Sequence, residues 1–101
     1  ERRLRFLIII SNPRMLRHVL GLASAAHEKG HTVKVFFNEE SVKLLAEPNA
    51  LRGVDAEMLA CVTAGQYSGI SEEDLVEGAR FTSLAEVVTL MEECDRTLFL
   101  G

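Results

Sequence analysis

RFLIIISNPRMLRHVLGLASAAHEKGHTVKVFF, residues 5–37, joins two kinds of hydrophobic order in one segment. RFLIII at 5–10 is an unbroken run of β-branched and aromatic residues, the pattern of a central parallel strand with both faces covered. It stops at Ser11-Asn12-Pro13. Asn12 suits a helix N-cap, and Pro13 suits the first helical position, where a missing N–H costs nothing. Met15, Leu16, Val19, Leu20, Ala23 and Ala26 then recur at helical spacing. Lys29 places a cation in the last turn and Gly30 follows as a stop. HTVKVFF at 31–37 is again strand-like. Strand, helix and strand make a βαβ unit, and such units are right-handed.

Working outward, EESVKLLAE predicts a short helix that opens on acids and breaks before Pro48. PNALRGVD at 48–55 reads as a surface loop. AEMLAC at 56–61 is assigned as a third strand, although Ala, Glu, Met and Leu favour helix. Ser71 and Asp74 match a capping pattern for a one-to-two-turn helix that Gly78 ends. Ser83 and Glu86 repeat the pattern, with Leu84, Val87, Val88 and Met91 expected along one apolar face. RTLFL at 96–100 is a closing strand. The alternation implies an α/β fold: a single domain over residues 1–101, with a mostly parallel sheet of four to five strands and helices on both faces.

Composition narrows the function classes. The 101 residues are 48% hydrophobic and 26% charged, with a net charge of −4, ordinary values for a globular domain and unlike those of a nucleic-acid binder. The arginines of ERRLR at the start are outweighed by acids elsewhere and read as a solvated strand lead-in. The FLIII run at 6–10 is far short of the roughly 20 residues a spanning helix needs, and no secretory signal pattern appears. Two cysteines do not make a disulfide scaffold, which points to a reducing cytoplasm. No dinucleotide or Walker-type glycine motif is present, and His18, His27 and His31 lack metal-ligand spacing. No cofactor and no metal are expected.

In an open parallel sheet, reactive groups gather at the carboxyl ends of the strands. Three segments fall there: SNPRM after the first strand, NEES after the second and CVTAG after the third. Cys61 is the only good nucleophile among them. A helical turn starting at Val62 would aim unpaired N–H groups at its sulfur, an arrangement that favours thiolate over thiol. The alternative is a small buried hydrophobe, which is how free cysteine often behaves. Cys94, near the end of an amphipathic helix, reads as packing. Tyr67 is expected either to line a pocket over Cys61 or to cover the core edge.

Over nearly its whole length the chain resembles the DsrE/DsrF-like family, which includes the TusD-type subunits of sulfur relays. The resemblance lies in GHTVKVFFNEESVKLL, in CVTAGQYSGI with Gly69 and Ile70 eight and nine positions after the cysteine, and in FTSLAEVVTLMEECDRTLFL with Asp95 and Arg96. It implies a three-layer, flavodoxin-like fold in which Cys61 matches the cysteine that carries sulfur as a persulfide. Val62 and Thr63 would stabilise its charge through their amides. Where sulfur-carrying members often place basic residues before the glycine, this chain has Gln66, Tyr67 and Ser68. Arg14 or Arg80 could supply a cation to the sulfur through space, the alternative for each being a solvated surface arginine, and Asn12 lies at the same sheet edge. The resemblance further implies sulfur-donor and sulfur-acceptor proteins as partners and a homo-oligomer, trimer or hexamer. Some members lack the cysteine, so a non-catalytic assembly or small-ligand-binding subunit on the same fold is the alternative.

Overall fold

The computed structural model describes residues 2–101. Five strands, β1 (Arg5–Ile10), β2 (Thr32–Phe37), β3 (Glu57–Cys61), β4 (Ala79–Thr82) and β5 (Arg96–Leu100), form one all-parallel sheet in the order β4-β3-β2-β1-β5. The helices are α1 (Leu16–Glu28), α2 (Val62–Tyr67) and α3 (Leu84–Glu93), with 3-10 helices at Pro13–Met15, Glu39–Ala46 and Glu72–Asp74.

The order explains the layers. From β1 to β4 the chain steps one strand at a time in the same direction, so right-handed crossovers put every connection on one face. The last step runs back from β4 past three strands to β5, and the same handedness places α3 on the other face. Side-chain alternation follows. Ile8, Ile10, Val33, Val35, Phe37 and Ala60 pack with Val19 and Ala23 of α1 and with Val42 and Leu45 of the Glu39–Ala46 segment. Leu7, Ile9, Phe36, Leu59 and Cys61 point the opposite way, onto Val87 and Leu90 of α3. Each fully buried Val, Leu, Ile or Phe among them contributes about 1.5–3 kcal/mol.

Three features differ from the sequence expectations, and buried Leu51 adds to the expected surface loop at 48–55. Ala79–Thr82, given no element above, is the edge strand β4, short and carrying Arg80 outward. The segment after β2 is a 3-10 helix, capped by the Asn38 side chain. The buried stripe of α3 is Val87 and Leu90, leaving Leu84, Val88 and Met91 exposed. Ser83 caps α3 as expected, its Oγ accepting the Glu86 N–H at 3.1 Å, but the Glu86 carboxylate turns away to Arg80 and Thr82.

Candidate functional site: a cysteine at the sheet edge

Cys61 is the last residue of β3 and the N-cap of α2. An N-cap keeps extended backbone angles, here φ −65° and ψ 120°, and folds its side chain over the first turn. The sulfur therefore accepts a hydrogen bond from the Ala64 N–H at 3.5 Å. Ala64 is the third helical residue, within the reach of a capping side chain. Val62 and Thr63, expected to present their amides, make no hydrogen bond to the sulfur among the described residues.

A six-residue helix has little stability of its own, so its other end needs fixing too. Gly69 and Ile70, the pair singled out in the sequence, do this. The Ile70 N–H donates to the Gly65 carbonyl at 2.9 Å and the Gly69 N–H to that of Gln66 at 3.2 Å. These two bonds define a Schellman cap, which requires a left-handed residue after the helix; Gly69 has φ +70°. The spacing from Cys61 to Gly69 is thus the length of one short helix with both caps.

Beyond the sulfur lies a cleft of about 460 Å³ lined by Asn38, Glu39, Glu40, Cys61, Thr63, Ala64, Tyr67, Ser68 and Leu84. Its origin is topological. After β3 the chain turns to the α1 face, and after neighbouring β4 it turns to the α3 face, so the two connections part and leave a crevice at the carboxyl edge. Thr63 and Ala64 form one wall, Leu84 another, and the end of β2 closes the third side. Cys61 itself is only 4% exposed. Tyr67, 91% exposed, rims the cleft and leaves the core edge to other side chains.

The remaining expected residues lie elsewhere. Asn12 caps the Pro13–Met15 turn by accepting the Arg14 N–H at 3.0 Å, and neither lines the cleft. Arg80 is held by Glu86 at 2.8 Å and Glu57 at 3.6 Å. That pairing and the hydrogen bond from Thr82 bring the Glu86 carboxyl down to about 2. The charged side chains that do line the cleft are Glu39 and Glu40, the latter paired with Lys43 at 3.6 Å. The sequence had placed their NEES segment on this edge without assigning it to a site. Ala64, Ser68 and Leu84 were not anticipated; Leu84 enters from the opposite face of the sheet, which strand order alone reveals. Cys94 is half-buried, and burial pushes its thiol upward. Among the described residues no three His, Cys, Asp or Glu side chains are grouped to hold a metal, and no helix is long and apolar enough to cross a membrane.

Fold and site together define an all-parallel α/β protein with a single cysteine at a crevice on its sheet edge. The model of the DsrE/DsrF-like family matches residues 5–100, and the chain belongs to that family. Protein MK0008 of Methanopyrus kandleri is 30% identical over 93 residues, spanning 79% of this chain and 77% of that protein. The ychN protein of E. coli superposes with a TM-score of 0.77 at 16% identity, covering 96% of this chain and 99% of that one. MTH1491 of Methanobacterium thermoautotrophicum gives 0.76 at 17% identity, covering 92% and 96%. At such identities the two structures share the fold.

Proposed function

We propose that this protein carries sulfur in a relay, taking it from a donor protein's persulfide onto Cys61 and passing it to an acceptor protein's thiol. The observation that carries the reading is the placement of Cys61 at the end of β3, with the Ala64 amide at its sulfur and a cleft beyond it. Family membership supports it, since TusD-type proteins hold the transferred sulfur on a cysteine.

In the first step the Cys61 thiolate attacks the outer sulfur of the donor's R–S–SH group. A bond forms between Sγ and that sulfur, the donor S–S bond breaks, and the electron pair leaves on the donor thiolate. In the second step an acceptor thiolate attacks the same sulfur and Cys61 departs as thiolate. Electrons balance with no external oxidant, and the sulfur rides on the protein without a cofactor. The Ala64 N–H, 3.5 Å from Sγ, is a hydrogen-bond donor to the atom that attacks in the first step and departs in the second. The reading places the protein in the cytoplasm, where thiols stay reduced. A homo-oligomer, trimer or hexamer, accompanies it, supported by exposed Leu84, Val88, Met91 and Phe99 on the α3 face.

Two observations favour a second reading, a non-catalytic assembly or ligand-binding subunit: the cleft's charged lining is acidic, and Arg80 is engaged by Glu57 and Glu86. Incubation with a persulfide donor followed by intact mass separates the two. A gain of one sulfur that Cys61→Ser abolishes is the expected result; no gain on the wild-type protein, or a gain that survives Cys61→Ser, rejects the relay reading.

A further inference from the structure

Helix α2 has three anchors. Two are its caps, at the Cys61 sulfur and at Gly69-Ile70. The third is lateral. Gly65 is buried, and a Cβ placed there would stand 2.5 Å from Cε1 and 2.8 Å from Cζ of Phe81, with the Ile70 carbonyl oxygen at 3.4 Å. Carbon atoms in contact lie roughly 3.5–4.0 Å apart, so the helix rests on the ring at a distance that no other L-residue permits. Phe81 sits on β4 beside Ala60, one residue before the strand end that flanks Cys61. It is partly buried and packs against the α1-side core.

The geometry points to Gly65 and Phe81 as a positioning pair: the bare glycine lets α2 settle against the ring at the depth where Ala64 reaches the Cys61 sulfur and the cleft stays open. The helical spacing gives the direction of the effect. Thr63, Ala64, Tyr67 and Ser68 share the face toward the cleft, and Gly65 lies on the side turned from it. A side chain at 65 therefore drives the helix into the cleft. This narrows access to a sulfur already 4% exposed and drags the Ala64 amide off its 3.5 Å contact. Both consequences slow attack by Cys61. The inference rests on reading Cys61 as the reactive sulfur, and it adds the two residues that set its surroundings.

The test compares alkylation by iodoacetamide of wild type, Gly65→Ala, Phe81→Leu and the double variant, with Cys61 and Cys94 quantified separately by peptide mass. Gly65→Ala is expected to slow Cys61 roughly five- to tenfold, the scale of one lost ordinary hydrogen bond, while Cys94 stays within about twofold. Leucine ends where the Cδ atoms of the ring do, so Phe81→Leu removes the colliding atoms. The double variant should recover to within about twofold of Phe81→Leu. Wild-type labelling of Gly65→Ala, or a folded double variant that stays slow, overturns the proposal. Should Gly65→Ala alone not fold, the comparison of Phe81→Leu with the double variant decides by the same criterion. Failure of the wild-type protein to take up sulfur would reject the relay and leave this labelling comparison intact.

Discussion

Replacing Gly69 by alanine adds one methyl group into open space, since a Cβ there has nothing within 4 Å. The whole effect is therefore conformational. At φ +70° an L-residue with a Cβ carries a penalty of about 1–2 kcal/mol. Part is returned because alanine also restricts the unfolded chain, by about 0.4–1 kcal/mol. A net loss of about 1 kcal/mol is expected, which lowers the melting temperature of a chain this size by about 4 °C. Gly21 supplies the internal control. It lies inside α1, is exposed, and likewise has nothing within 4 Å of an added Cβ. There the same methyl group should stabilise by about 0.5–1 kcal/mol, because glycine is a poor helix interior residue. Urea denaturation of the two variants at one temperature, with the slope checked for constancy, reads both. Gly69→Asn, which tolerates the left-handed region, should lose less than Gly69→Ala. If Gly69→Ala proves as stable as wild type, or if both substitutions shift stability in one direction, the Schellman cap does not hold α2 as described.

The Glu86 carboxyl, held near 2 by Arg80 and Thr82, has a folded-state value below its ordinary 4.5. Its contribution is therefore present above about pH 4.5 and lost as pH falls toward 2, and Glu86→Gln should flatten that part of a urea-stability profile; an unchanged profile counts against the pairing. Leu90→Ala, emptying the centre of the α3 core, should cost about 2–4 kcal/mol, whereas Val88→Ala on the exposed side should stay within about 0.5 kcal/mol, both by denaturation. A reversed order would mean that α3 buries the other stripe. Because burial pushes the Cys94 thiol up, its alkylation should still be climbing above neutral pH, and a plateau reached by about pH 7 would contradict its packing.

Where the sequence signal was weak or misleading, the cause is identifiable. The β3 segment EMLAC is made largely of helix formers, and it is a strand because it pairs between β2 and β4. Ala79–Thr82 carries four residues and one ladder partner, too little for alternation to show. In α3, apolar residues at 84, 87, 88, 90 and 91 cover much of the circumference, so periodicity admits two stripes and the sheet chooses between them. Arg80 was a plausible cation for the sulfur until Glu57 on β3 and Glu86 on α3 were placed beside it.

The β1–α1–β2 unit, the strand-end position of Cys61 and a helix start after it were legible in the chain, because each depends on residues within a few positions of one another, whereas Gly69 and Ile70 stood out only through the family resemblance and their hydrogen bonds showed them to be the helix stop. Strand order depends on pairings between distant residues. It alone decided that the chain doubles back after β4, that α3 covers the second face, and that Leu84 and the NEES acids meet across a crevice from one sulfur. Local propensity carries no term for which loops become neighbours. The cysteine could be named from sequence; the walls around it are a product of packing.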